Sequence, residues 1–132
     1  MLKNKVSIYV PSTYKDQSAP DNVVKFYVAD TLKKLSVMFG GATATAAIGS
    51  WYSVELNKLI TEPVTICYSY CDSYDYQKLV DICQDLKTVF MQEAISLEIN
   101  NTLEFIWAIK PGAHTPGKTY KKRIIEHEKY NN

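Results

Sequence analysis

Apolar side chains change period several times along this chain, and each change marks an element. From Lys5 to Val10 the alternation is strict, with Val6, Ile8 and Val10 on one side and Lys5, Ser7 and Tyr9 on the other, which predicts a half-buried strand. Pro11 to Pro20, rich in Ser and Pro, reads as a loop. Asp21 or Ser18 is the expected cap of a helix in which Val24, Val28, Leu32, Leu35 and Phe39 recur at helical spacing. Gly40-Gly41 ends it, since glycine takes the left-handed conformation without a Cβ clash.

The period then becomes two. Thr43, Thr45, Ala47, Gly49 and Trp51 share one side, and Ala44, Ala46 and Ile48 the other. Glu55 to Lys58 is the expected turn, Leu59 to Thr61 a short return strand, and Pro63 the restricted start of the next. In that strand Val64, Ile66, Tyr68 and Tyr70 are expected on the core side, with Thr65, Cys67, Ser69 and Cys71 facing away. Asp72 or Ser73 should cap a second helix striped by Leu79, Ile82, Cys83, Leu86, Val89 and Phe90. Ile95, Leu97 and Ile99 alternate again, Asn100-Asn101 suits a tight turn, and Leu103, Phe105, Trp107 and Ile109 form a last strand. The order predicts an α+β fold: a ferredoxin-like plait, with two helices on one face of an antiparallel sheet, an extra C-terminal strand and a basic tail.

The 132 residues fit one domain, placed at 1–109, followed by a Pro/Gly-containing tail at 110–132 that has the makings of a short terminal helix. Charge separates along the same line. Residues 1–109 carry nine Lys against twelve Asp/Glu, and residues 110–132 five Lys and one Arg against two Glu. The single arginine, Arg123, disfavours sequence-specific duplex readout, which leans on bidentate Arg. No apolar run is long enough for a membrane span, the N-terminus has no apolar signal core, and three cysteines make no disulfide framework. A cytoplasmic protein is expected.

The segments Phe39 to Trp51 (FGGATATAAIGSW) and Gln92 to Asn100 (QEAISLEIN) resemble those of a group of small proteins from bacteria, phages and mobile elements that have no agreed activity. The likeness spans roughly residues 5–106. It implies the ferredoxin-like order, a mobile-element origin and, by extension, action against a host defence system.

Candidate chemistry is sparse. Gly112 to Thr119 fits the phosphate-loop pattern G-x-x-x-x-G-K-[ST], but too little chain follows to supply the acidic magnesium partner or a parallel sheet. Cys67 and Cys71, four apart on a strand, sit roughly 13 Å from each other, too far to share zinc, and His114 and His127 are remote from them. Neither a metal nor a cofactor is expected. Cys67 and Ser69 lack a histidine base anywhere in residues 1–113. Glu98, among hydroxyls on the far side of the sheet, is a candidate base with Tyr9, although a solvated strand carboxylate is the plainer account. Lys118, Lys121, Lys122 and Arg123 beside Tyr120 could hold nucleic acid through charge and stacking.

The side of the sheet away from the helices is therefore the best clue. Tyr9, Thr43, Thr45, Thr65, Ser69, Trp51 and Glu98 are the expected ligand-binding residues. Three functions stay open: a non-catalytic binding protein, dimeric through this face and taking a nucleotide-like polar ligand or a host protein; a small enzyme using Glu98; and a nucleic-acid accessory protein acting through its tail.

Overall fold

The computed structural model describes residues 1–15 and 17–107. Ile109, the phosphate-loop match, His114, His127 and the basic residues Lys118, Lys121, Lys122 and Arg123 lie outside the described residues. The elements run β1 (Asn4–Pro11), α1 (Asp21–Phe39), β2 (Thr43–Ser53), β3 (Lys58–Cys71), α2 (Tyr76–Val89), β4 (Ala94–Ile99) and β5 (Thr102–Trp107). One antiparallel sheet holds all five strands in the order β2-β3-β1-β4-β5. The expected plait is present, with β5 added at one edge. No helix among the described residues is long and apolar enough to cross a membrane.

Both helices cover the same face. Leu35 of α1 and Leu79, Ile82, Cys83 and Leu86 of α2 close over Val6, Ile8 and Val10 of β1 and Leu97 of β4. At about 1.5–3 kcal/mol for each large apolar side chain removed from water, this layer supplies the main drive to fold. Gly40, at φ 91°, ends α1 as expected, and its N–H donates to the Ser36 carbonyl. The helix starts differ from expectation. Pro20 holds the N-cap position of α1 with no side-chain cap, and Asp75, not Asp72 or Ser73, caps α2 by accepting from the Gln77 N–H at 3.0 Å.

β3 also departs from expectation. It is one strand of 14 residues that runs through Pro63. The Pro63 carbonyl accepts from the Ser12 hydroxyl at 2.6 Å. The missing proline N–H faces the same way, toward the side where the β1 ladder has already ended at Pro11–Val64. Beyond that point β2 and β3 continue as a two-stranded arm to a turn at Val54–Asn57, one residue earlier than expected, with Asn57 at φ 51°.

The facing of β3 is the larger correction. Residues directly opposite in an antiparallel ladder share a face. Ser69 stands opposite the fully buried Val6, Cys67 opposite Ile8, and Thr65 opposite Val10. Thr65, Cys67, Ser69 and Cys71 thus face the helices, while Val64, Ile66, Tyr68 and Tyr70 face away. α1 lies over β3, and small side chains let it approach. Cysteine serves there as a small hydrophobe.

Candidate functional site

Among the described residues no helix covers the other face, which carries Lys5, Ser7 and Tyr9 from β1, Thr43, Thr45, Ala47, Gly49 and Trp51 from β2, Glu62, Val64, Ile66 and Tyr68 from β3, and Ser96 and Glu98 from β4. Of the seven expected ligand-binding residues, Tyr9, Thr43, Thr45, Trp51 and Glu98 are on it. Thr65 and Ser69 are not. Ser69 is 2% exposed and donates to the Gly41 carbonyl at 2.7 Å, tying the end of the α1–β2 connection to the sheet. The face is also more apolar than expected, because β3 turns its larger side chains toward it.

Two centres form there. In the first, Ser7 pairs with Glu98 across the β1–β4 ladder, and the Tyr9 hydroxyl donates to Glu98 Oε1 at 3.4 Å. Burial, with the Glu98 charge adding to it, raises the Tyr9 pKa, so the phenol stays a proton donor at neutral pH. Lys5 Nζ stands 4.4 Å above the centre of the Tyr68 ring.

The second centre lies at the base of the arm, and the sequence reading missed it. Glu62 is half-buried, stands opposite Gly49, and is one pair removed from Trp51–Ile60 on the same face. The Thr13 hydroxyl donates to Glu62 Oε2 at 2.9 Å. Gln92 Nε2 donates in turn to the Thr13 carbonyl at 2.8 Å and to its hydroxyl oxygen at 3.3 Å. A carboxylate with one oxygen fixed, no side chain opposite it and an indole 48% exposed beside it can grip a planar ligand that carries cationic or hydroxyl groups. Tyr9 stands opposite Ile66, four residues from Glu62 on β3, so the two centres begin roughly 13 Å apart at strand rise.

Elsewhere the chemistry is quieter. Burial pushes the Cys67 thiol up to about 11 and, with the Glu104 charge, the Cys83 thiol up to about 12. Neither supplies a thiolate at neutral pH. An open depression of about 360 Å³ at the start of α2 is lined by Tyr74, Tyr76, Asn100 and Glu104, off the helix-free face. A hydrogen bond to Glu104 pushes the Tyr76 phenol up to about 12.

No family model matches this chain, and neither does any curated protein. Two solved structures share its fold. One is a phage SAM lyase in complex with S-methyl-5'-thioadenosine, 20% identical, with a TM-score of 0.57 over 80% of this chain and 89% of that one. The other is a phage SAM lyase in the apo state, 18% identical, with a TM-score of 0.58 over 83% of this chain and 92% of that one.

Proposed function

We propose that this chain binds an adenosine-bearing sulfonium compound on the helix-free face of its sheet and cleaves it, as a lyase of the phage type. The substrate is S-adenosylmethionine (SAM) and the nucleoside product S-methyl-5'-thioadenosine. The observation that carries this is the second centre: the fixed Glu62 carboxylate on the same face as the half-exposed Trp51 indole, one pair away, with Gly49 opposite Glu62. Trp51 supplies a stacking surface for adenine, and Glu62 the charge that draws a cation. The likeness of fold to two phage SAM lyases names a ligand of that chemistry. It moves the reading from a non-catalytic binding protein toward an enzyme. A phage copy that consumes the methyl donor would act against host functions that need it, in line with the anti-defence expectation.

Cleavage of the bond between sulfur and the aminobutyryl carbon leaves its electron pair on sulfur and gives a neutral thioether. That carbon gains a bond to an oxygen of the substrate's own carboxylate and closes a lactone, so positive charge disappears at sulfur during the step. A carboxylate touching sulfur would favour the reactant over the transition state. Glu62 is therefore assigned to capturing and orienting the cationic ligand, and the acceleration to holding it in its reactive shape. The face is wide and partly apolar, and the arm exposes Trp51 on this side and Val54 and Leu56 at its turn. A second copy of the chain covering it gives the dimer expected from the sequence and encloses the ligand at the seam.

The test is direct. The purified protein is titrated with S-methyl-5'-thioadenosine in a calorimeter and incubated with SAM, with the nucleoside products separated by chromatography. Binding and release of the thioether are expected. SAM left intact together with no heat of binding overturns the proposal. The Tyr9–Glu98 contact supports a second reading, an enzyme centred on Glu98. Under it, Glu98→Gln abolishes turnover and Glu62→Gln does not.

A further inference from the structure

Resting on Glu62 as the ligand-orienting carboxylate, we propose that Thr13 and Gln92 are positioning residues that hold it in its working direction. The chain of contacts has a definite polarity. The Thr13 carbonyl can only accept, so the Gln92 group 2.8 Å from it is the amide nitrogen. That nitrogen also reaches the Thr13 hydroxyl oxygen at 3.3 Å and occupies one of its lone pairs. The hydroxyl proton is then turned to Glu62 Oε2, 2.9 Å away. One carboxylate oxygen is fixed and the other is left to face a ligand.

The backbone supports the same arrangement. Ser12 and Thr13 continue from β1 past the end of its ladder, and the Ser12 hydroxyl ties the segment to Pro63, next to Glu62. The bridge between Thr13 and Ser18 and the bond from the Ala19 N–H to the Ser12 carbonyl close this segment on itself. Gln92 is held by its own N–H, which donates to the Lys87 carbonyl at 3.0 Å at the end of α2. Three separate stretches, from the β1–α1 loop, the α2–β4 connection and mid-β3, thus meet in one directed relay ending on the carboxylate. Without Thr13 a Glu side chain on a strand has several rotamers, and only some present a lone pair to the side of Trp51.

The relay predicts a pattern that a merely structural role does not give. Thr13→Val keeps shape and removes the donor, and Thr13→Ser keeps the donor. kcat/KM for SAM is expected to fall about tenfold in Thr13→Val, the loss of one hydrogen bond to a charged group, and to be restored in Thr13→Ser. Affinity for S-methyl-5'-thioadenosine, which has no cation for Glu62, is expected to stay within twofold in both. Gln92→Leu is expected to lower kcat/KM, and the double variant with Thr13→Val to be no worse than Thr13→Val alone, because both act through one hydroxyl. If Thr13→Val matches wild type, if the two losses multiply, or if product affinity falls in step with kcat/KM, the relay is overturned while the SAM reading stands. A wild-type protein that neither binds the thioether nor consumes SAM overturns both.

Discussion

Glu62 and Gly49 stand opposite each other across the β2–β3 ladder, so β2 places no side chain across from Glu62. A Cβ built at Gly49 meets only the Glu62 carbonyl at 3.9 Å and Val64 Cγ1 at 4.0 Å, both ordinary contacts, and its backbone is not in the left-handed region. The strand therefore tolerates a side chain there. Gly49→Val is expected to raise the melting temperature slightly, since glycine costs about 0.5–1 kcal/mol in a strand. It is also expected to screen Glu62 and lower kcat/KM for SAM at least tenfold. A Gly49→Val protein that is equally or more stable and turns over SAM normally would place the ligand elsewhere.

Trp51 and Glu62 should separate substrate from product. Trp51→Ala removes the stacking surface and is expected to weaken SAM and S-methyl-5'-thioadenosine alike, by about 1–3 kcal/mol on the scale of base–aromatic stacking. Glu62→Gln keeps the shape and removes the charge. It is expected to lower kcat/KM for SAM about tenfold or more, as expected for a lost charge-assisted contact, and to leave thioether affinity nearly unchanged. Calorimetry on the product and initial rates on the substrate read the two effects. Equal losses for both ligands in Glu62→Gln would contradict its role as the cation-capturing group.

Much of this architecture was legible in the residues. The β1 alternation, the α1 stripe ending at Gly40, and the turn at Asn100, where φ is 58°, each follow from a local rule. The phase of β3 was not legible, because Val64, Ile66, Tyr68 and Tyr70 are more hydrophobic than Thr65, Cys67, Ser69 and Cys71. Which set is buried depends on how closely α1 approaches, and that is a property of packing. Glu62 was hidden by the assumption that Pro63 starts a strand. Treating the hairpin as continuous and counting outward from a turn at Val54–Asn57 brings Gly49 opposite Glu62. The relay through Thr13 and Gln92 joins residues 49 and 79 positions apart, and no local pattern announces it.

Ser69 is a sharp test of that corrected phase. It is buried and bonded to the Gly41 carbonyl. Ser69→Ala strands that carbonyl and is expected to cost about 1–2 kcal/mol of stability, read as a lower urea midpoint. Ligand affinity is expected to be unchanged, since the side chain faces α1. A Ser69→Ala protein with wild-type stability and lost binding would return Ser69 to the ligand face.

Alkaline pH should weaken the fold through its thiols. A group whose folded pKa lies above its unfolded value keeps its proton longer in the native state. Its stabilising effect is complete below the unfolded pKa and is lost as pH rises toward the folded one. For Cys67 and Cys83 that window runs from 9.0 to about 11 and about 12. Tyr76, raised from 10.0 to about 12, adds to it from pH 10 upward. Urea midpoints are expected to hold steady from pH 7 to 8.5 and fall progressively above 9. Cys83→Ala should flatten the slope even though it lowers stability at pH 7.

The helix-free face also predicts an oligomer. Val64 and Ile66 point out of the sheet on the side away from α1 and α2, and the arm beyond them exposes Trp51 on that side and Val54 and Leu56 at its turn. A standard interface removes about 800 Å² from each partner, with exposed apolar and aromatic side chains of this kind at its centre. Sedimentation of the wild-type chain at micromolar concentration is expected to give more than a monomer. Ile66→Lys puts a charge at the middle of the face without touching the core beneath α1, so it should give a folded monomer with unchanged far-UV circular dichroism. Enclosure at the seam adds a second consequence: the Ile66→Lys monomer should bind S-methyl-5'-thioadenosine more weakly, although the variant site is some 13 Å along β3 from Glu62 at strand rise. A wild-type chain that sediments as a monomer, or an Ile66→Lys protein that stays associated, would remove the second copy from the site and leave the ligand to be held by one chain alone.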